Sequence, residues 1–246
     1  MQPMFRAHRD SDGFTLSELL VVLAVIMLLA IFAVPALART KHQTKVAACA
    51  ANLRQVTMAF QIYAQENNDR LPAAGGFWAW DMTWNLGPTL GRYGAPRPAL
   101  YCPANPGQNL DVFWNYVVNS YRVIGYALTL TGGSSISASN WNGTLTPQPI
   151  IFGPGIIPPP LASQRVLVAD IVMSQPSQNN EANRATYNYV TILSGFAPAM
   201  RSTAHLDRTL PAGGNVGMLD GHVEWRKFQD LHVRTDPGSA TPVFWW

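Results

Sequence analysis

Residues 13–38 read GFTLSELLVVLAVIMLLAIFAVPALA, and no other part of the chain constrains the structure as strongly. No charged residue lies between Leu19 and Ala38, where the side chains are those of Leu, Val, Ile, Ala, Met, Phe and one proline. Twenty such residues in an α-helix span roughly 30 Å, about the thickness of the hydrocarbon core of a bilayer. The sequence therefore predicts a membrane-crossing helix over residues 14–38.

One carboxylate, Glu18, lies just inside this apolar segment. A charged side chain at the centre of a membrane helix costs on the order of 2.5–3.5 kcal/mol, so it needs a partner or access to water. Two interpretations remain open from the residues alone. Glu18 either reaches the polar interface and has no further role, or it pairs with a positive charge during assembly.

The eight residues Gly13–Leu20, followed at once by an apolar helix, resemble the processing signal of type IV pilins and of the pseudopilins of type II secretion. The resemblance implies that a prepilin peptidase cuts between Gly13 and Phe14 and that the new amino-terminal Phe14 is N-methylated. It also implies that Glu18 acts in filament assembly, by pairing with the Phe14 amine of an adjacent subunit. Pro35 matches a proline often found part-way along pilin helices, where the missing backbone hydrogen bond produces a kink.

The same resemblance implies an inner-membrane protein with one membrane pass. Its partners would be prepilin peptidase, copies of itself and other pilin-like subunits, an inner-membrane assembly platform and the lipid bilayer. The distribution of Lys and Arg leaves the orientation undecided or reversed, because Arg39, Lys41 and Lys45 follow the apolar run. The processing signal instead places residues 1–13 in the cytoplasm and the carboxy-terminal part outside it.

Length and composition define four segments in the 246-residue chain. They are a leader at 1–13, the membrane and assembly helix at 14–38, an amphipathic continuation at 39–67, and a globular α+β head at 68–246. The 17 Lys and Arg against 14 Asp and Glu give a net charge of only +3, with no basic run, which argues against nucleic-acid binding. The hydrophobic content of 48% supports a folded core, and 19 Gly and 19 Pro indicate long loops.

Residues 39–67 have the apolar spacing of one buried helical face. The positions recur every three or four residues: Val46, Cys49, Ala50, Leu53, Val56, Phe60, Tyr63 and Ala64. Because Pro35 is the only interruption, the pattern predicts one helix from Phe14 to about Asn67, roughly 80 Å long. An anchor and a separate helix joined at Arg39 is the alternative.

The head is predicted to contain a small antiparallel sheet with long loops at 73–119 and 131–161, packed on the long helix. Strands are expected at residues 120–130 and 165–172, and Trp78, Trp80 and Trp84 are expected to pack in the core or against loops. The final residues, Phe244-Trp245-Trp246, are also expected to be packed. The predicted fold class is therefore α+β.

Residues 215–225 predict a hairpin turning at Asp220-Gly221, because Asp-Gly favours a two-residue turn. In that register Met218 faces Val223 and Val216 faces Trp225, and these four side chains would share the face that packs on the helix. The segment, with His205 upstream, resembles the carboxy-terminal region of prepilin-like proteins that carry a histidine followed by an Asp-Gly pair. In this chain residues 206–219 lie between His205 and Asp220, whereas in the commoner pattern nine residues separate the histidine from the Asp-Gly pair.

Cys49 and Cys102 are the two cysteines, and they could form a disulfide in an oxidising compartment. No Cys-x-x-Cys pair is present, which disfavours zinc, and no cofactor is expected. Some related pseudopilins bind calcium near their carboxy-terminal loops, and Asp207 and Asp220 are the weak candidates for such a site. No catalytic motif is present, so the chain is not predicted to be an enzyme.

These residues bear on three candidate functions. The favoured one is a subunit of a type II secretion pseudopilus or a type IV pilus-like filament. The alternative is a membrane-anchored binding domain that is displayed as a monomer and contacts a glycan or an exported protein. An anchored hydrolase would need a catalytic constellation that the sequence does not contain.

Overall fold

The computed structural model describes residues 15–152, 155–192, 202–236 and 241–246. Gly13 and Phe14, the residues of the predicted cleavage site, lie outside them. The chain divides into two compact units, Met1–Gln43 and Thr44–Trp246, which are described separately below. Within the described ranges, no helix combines the length and the apolar character that crossing a membrane requires.

The described helices are α1 (Leu16–Glu66), α2 (Leu86–Arg92) and α3 (Asp111–Trp114). The strands, in chain order, are β1 (Asp81–Thr83), β2 (Tyr121–Val123), β3 (Tyr126–Leu128), β4 (Ile150–Phe152), β5 (Gly155–Ile157), β6 (Val166–Asp170), β7 (Met173–Ser174), β8 (Leu206–Asp207), β9 (Leu210–Pro211), β10 (Gly213–Met218), β11 (Val223–Lys227) and β12 (Val243–Phe244). The fold class is α+β with small antiparallel sheets, as predicted.

Helix α1 is 51 residues long and continues through Pro35 and Arg39, so the predicted single helix is present. It ends where Asn68 and Asp69 adopt left-handed backbone conformations, with φ of 54° and 65°. The amide of Asp69 donates to the carbonyl of Ala64 at 2.8 Å, which satisfies one of the last carbonyls of the helix. The helix thus ends at Glu66, close to the predicted end at about Asn67.

The carboxy-terminal part of α1 is amphipathic, as its spacing predicts. Its predicted apolar face is buried or half-buried at every position, and five of the side chains have no exposed surface: Cys49, Leu53, Val56, Phe60 and Ala64. Full burial of a side chain such as Leu53 or Phe60 contributes about 1.5–3 kcal/mol. The opposite face carries Lys45, Arg54 and Gln65, which are exposed.

The main sheet has the strand order β11-β10-β6-β3, and all neighbouring strands are antiparallel. All five residues of β6 are buried, which agrees with the buried strand predicted at 165–172. The strand predicted at 120–130 is wrong in detail, because the chain leaves one sheet for another between β2 and β3. The amides of Ile124 and Gly125 donate to the carbonyls of Trp80 and Leu100 instead of to a strand partner.

The predicted hairpin is present as β10 and β11, but its register is shifted by one residue from the prediction. The amide of Met218 donates to the carbonyl of His222, and the amide of Gly221 donates to the carbonyl of Met218. Gly221 has φ of +92°, whereas Asp220 is not in a left-handed conformation. The loop therefore contains three residues, 219–221, with the glycine at its left-handed position.

This register corrects the prediction that Val216, Met218, Val223 and Trp225 share one face. Val216 lies opposite Glu224, and Gly217 lies opposite Val223. Directly opposed residues share a face, so Val216 and Val223 are on opposite faces of the sheet. The face of Gly217 is the one against α1, since a Cβ atom built on Gly217 would lie 2.5 Å from Cγ2 of Thr57.

The segments predicted as long loops contain short elements. The hairpin β4–β5 lies in 131–161, and β1, α2 and α3 lie in 73–119. Trp80 is buried and stacks on half-buried Trp78, with ring centroids 5.2 Å apart. The carboxy-terminal residues Trp245 and Trp246 are buried, as predicted, and the indole of Trp245 donates to Oγ of Ser174.

A buried carboxyl in β1 predicts a pH-dependent stability. Burial raises the pKa of Asp81 to about 7, although the amide of Trp78 donates to its carboxylate at 2.9 Å and opposes the shift. The folded protein therefore binds this proton more tightly than the unfolded chain, and stability falls as pH rises from about 4 to 7. We expect Asp81→Asn to be more stable than the wild type by about 2 kcal/mol at pH 8 and nearly equal to it at pH 4.

Urea unfolding of the full chain in detergent at both pH values measures this difference. Asparagine keeps an oxygen that accepts from the Trp78 amide, so that hydrogen bond is matched between the two proteins. A difference between wild type and variant that does not change with pH would contradict the assignment.

Candidate functional site

The described part of the amino-terminal segment begins at Thr15, where Glu18 caps the helix. The carboxylate of Glu18 accepts hydrogen bonds from the amide of Thr15 at 2.9 Å and from its hydroxyl at 2.7 Å. In return, the amide of Glu18 donates to the Thr15 hydroxyl at 3.3 Å. This is a capping box, a threonine followed three residues later by a glutamate, and it is an additional signal that the sequence alone carries. Glu18 thus has a partner within its own chain.

The side chains after the cap are apolar and exposed. Every large apolar side chain described between Leu16 and Ile31 has at least 42% of its surface exposed. Exposed apolar surfaces of this extent on a protein mark a contact with lipid or with another protein.

A second candidate site lies in the core of the Thr44–Trp246 unit. Cys49, Cys102, Asp170 and His205 are buried, and one ligand atom from each lies within 4.8 Å of all the others. Cys49 is on α1, Cys102 follows a short 3-10 helix, Asp170 ends β6, and His205 precedes β8. Four separate segments of the chain therefore meet at this buried cluster, which we call the Cys-Asp-His cluster.

The four side chains are connected by short polar contacts. The thiol of Cys49 donates to Oδ1 of Asp170 at 2.8 Å, and Nε2 of His205 lies 3.2 Å from Oδ2 of the same carboxylate. Sγ of Cys102 lies 3.3 Å from Nε2 of His205. Asp170 is therefore in contact with both Cys49 and His205.

Neighbouring residues hold the cluster in place. Asn215 donates two hydrogen bonds to Oδ2 of Asp170, from its backbone amide at 2.7 Å and from its side chain at 3.0 Å. The hydroxyl of Tyr126 lies 3.4 Å from Sγ of Cys49, and the indole of Trp225 packs edge-on against the ring of His205. These contacts fix the positions of the carboxylate and of the imidazole.

Electrostatics make Asp170 and His205 an ion pair in the absence of any ligand. Burial is the largest single effect and opposes the charge on both groups, but their polar contacts together outweigh it. Contacts with His205, Cys49 and Asn215 lower the pKa of Asp170, and contacts with Asp170 and Cys102 raise the pKa of His205 to about 10. Burial raises the pKa of the Cys49 thiol, whereas the neighbouring Cys49 and His205 side chains lower the pKa of the Cys102 thiol. The two thiols are thus inequivalent.

The structure brings together the two cysteines, whose pairing the sequence left open, and both are free thiols. It does not bring the calcium candidates into a comparable group. Asp207 and Asp220 are exposed, and the carboxylate of Asp220 contacts Nδ1 of His222 at 2.7 Å. Among the described residues, the group of His, Cys, Asp and Glu that could hold a metal ion contains neither aspartate.

Asp170 is not identified from the sequence, and His205 is identified there without Cys49, Cys102 or Asp170 as its partners. A charged residue at the end of the apolar run VLVAD was the available signal for Asp170, since a fully buried carboxylate needs partners. The Cys-x-x-Cys criterion could not detect the cluster, because its ligands are far apart in the sequence.

The family model of the prokaryotic N-terminal methylation motif matches residues 8–34 of the chain. No curated protein and no solved structure matches the chain. The matched residues contain the Gly13-Phe14 junction, Glu18 and the start of α1. The amino terminus of the chain therefore carries a prepilin-type signal of the kind found in type IV pilins and pseudopilins.

Proposed function

We propose that the chain is a subunit of a pilus-like filament, either a type II secretion pseudopilus or a type IV pilus-like fibre. Residues 14–38 anchor the precursor in the inner membrane, prepilin peptidase cuts after Gly13, and Phe14 is methylated. The assembly platform then adds the mature chain to copies of itself and to other pilin-like subunits. The observation that carries the proposal is the methylation motif at residues 8–34, which runs directly into the 51-residue helix α1.

The surface of α1 supports a role in assembly. Every residue from Leu19 to Ile31 is apolar, so this part of α1 has no polar face that would suit water. They can be covered by lipid before assembly and by the equivalent helices of other subunits afterwards. The exposed apolar surface therefore has an apolar partner both in the membrane and in the filament.

The mature amino terminus tests the proposal. We expect mass spectrometry of the protein from its native host to find a chain that begins with N-methylated Phe14, in a cell-surface or periplasmic fraction that sediments as a polymer. A chain that retains residues 1–13 would contradict processing. A processed chain that sediments only as a monomer would contradict assembly and favour the anchored binding domain.

A further inference from the structure

The Cys-Asp-His cluster has no role in the proposed filament function, yet it places four ligating side chains at one buried point. Two sulfurs, one imidazole nitrogen and one carboxylate oxygen face each other within 4.8 Å. Buried polar clusters are not needed for stability as such, because well-packed apolar side chains of similar volume are often equally or more stable. The convergence of these four groups is the arrangement that a structural metal site requires.

We propose that Cys49, Cys102, Asp170 and His205 form a structural site for one divalent transition-metal ion of the zinc type. The site is independent of the filament function and would exist whether or not the chain assembles. Its four protein ligands would close the coordination sphere, which is the arrangement of structural zinc sites and leaves no position for a substrate.

Two of the distances between donor atoms are close to those around a tetrahedral ion. Zinc bonds of about 2.0–2.3 Å place neighbouring ligand atoms about 3.3–3.8 Å apart. His205 Nε2 lies 3.2 Å from Asp170 Oδ2 and 3.3 Å from Cys102 Sγ, close to that range. The contact of Cys49 Sγ with Asp170 Oδ1 is shorter, at 2.8 Å, and it would lengthen when the metal replaces the thiol proton.

The donor set selects the class of ion. Thiolate and imidazole suit zinc and related transition metals, whereas calcium and magnesium require six or more oxygen ligands or several waters. Two thiolates, one carboxylate and a divalent ion leave one net negative charge in the core. The two hydrogen bonds from Asn215 to Asp170 and the hydroxyl of Tyr126 near Cys49 stabilise that charge.

The location defines what the ion would do. It would join α1 to β6, to the segment around Cys102 and to the turn at His205, which are distant in the sequence. Metal binding to a site that exists only in the folded chain adds its free energy to folding. The metal would therefore stabilise the packing of the helix on the sheet within the Thr44–Trp246 unit.

The test is a metal analysis of the full chain, purified in detergent without a histidine tag. We expect about one zinc per chain by mass spectrometry of the elements, loss of that zinc on prolonged chelation, and a lower unfolding temperature after the loss. Reloading the chelated protein with Co²⁺ should give the thiolate charge-transfer absorption and the intense visible bands of a tetrahedral cobalt site. These two spectral features do not depend on any variant.

Variants localise the ion. Cys102→Ser and Asp170→Asn should lower the affinity for zinc at least about 100-fold, more than the loss expected for a residue outside the ligand set. The matched control is His222→Gln. It removes an exposed histidine that also contacts an aspartate, Asp220, but that lies outside the cluster, so zinc binding should be unchanged.

Three results would overturn the proposal, and the third is retention of zinc by both ligand variants. One is a folded, reduced chain that takes up neither Zn²⁺ nor Co²⁺. Another is a Cys49–Cys102 disulfide in the protein from its native host, shown by the absence of titratable thiols in the unfolded chain before reduction. Retention of zinc by both ligand variants would equally place the ion elsewhere. None of these results bears on cleavage after Gly13, so the two proposals fail separately.

Discussion

Glu18→Ala should abolish filament formation while leaving cleavage after Gly13 intact. In the proposed filament, the carboxylate of Glu18 pairs with the methylated amine of Phe14 on the adjacent subunit as both leave the lipid. Alanine leaves that amine without a counter-ion in an apolar surrounding, where an uncompensated charge costs several kcal/mol. We expect the amount of sheared filament to fall to background, with a processed chain accumulating in the membrane.

Glu18 also caps the helix through Thr15, and alanine removes this cap together with the charge. Two further variants separate the two effects. Glutamine at position 18 keeps an oxygen that can accept from Thr15 but carries no charge, and Thr15→Ala keeps the carboxylate but removes the hydroxyl partner. Loss of the cap alone costs about 1 kcal/mol of helix stability. If the charge is what assembly requires, Glu18→Gln fails and Thr15→Ala assembles.

Normal filaments from Glu18→Gln would contradict the pairing with Phe14 and leave helix capping as the role of Glu18. Immunoblotting of sheared and membrane fractions measures assembly, and the mobility of the processed chain measures cleavage. Equal cleavage in all three variants is required for the comparison, since an uncut precursor has no free Phe14 amine.

The long helix could be predicted because its determinants are local. Apolar residues at three- and four-residue spacing from Val46 to Ala64 specify one face, and no glycine and a single proline interrupt the chain from Phe14 to Glu66. The resulting burial of Leu53 and Phe60 follows from the spacing alone. The capping box at Thr15 and Glu18 was equally local and could have been identified in the same way.

The hairpin shows where local information ends. Asp220-Gly221 correctly predicted a turn, but a two-residue loop and a three-residue loop are both compatible with that pair. The choice depends on which strand face meets α1, and Gly217 is the residue that allows the close contact. A one-residue change of register exchanges the two faces, so Val216 and Val223 were wrongly assigned to the same one.

The Cys-Asp-His cluster depends on tertiary structure throughout. Cys49 was predicted to face the domain, and Cys102 was considered as its partner, so half of the cluster was anticipated. Asp170 and His205 join them only because β6 lies next to β10 in the sheet and because the turn at His205 folds back over it. The amide of Ala204, for example, donates to the carbonyl of Ile171, immediately after β6.

Gly217→Val should have the largest effect on stability of any single substitution considered for the Thr44–Trp246 unit. A Cβ atom at position 217 would lie 2.5 Å from Cγ2 of Thr57 on α1 and 3.0 Å from Cγ1 of Val168 on β6. The backbone of β10 is held by partners on both sides, so it cannot move away without loss of its hydrogen bonds. We expect a cost of at least about 3 kcal/mol, a large part of the 5–15 kcal/mol that stabilises a typical domain.

Thermal or urea unfolding of the detergent-solubilised chain measures this cost, and a milder pair of substitutions identifies its cause. Gly217→Ala should destabilise through the contact with Thr57, and Thr57→Ser removes the Cγ2 atom while keeping the hydroxyl that donates to Arg54. The double variant should therefore recover part of the stability lost by Gly217→Ala. The change in stability of the double variant should then differ from the sum of the two single changes. Gly91→Ala on α2 is the matched control, because a Cβ atom there meets no other atom within 4 Å and alanine favours helix. Strictly additive effects of Gly217→Ala and Thr57→Ser would show that the helix and the sheet do not meet at this glycine.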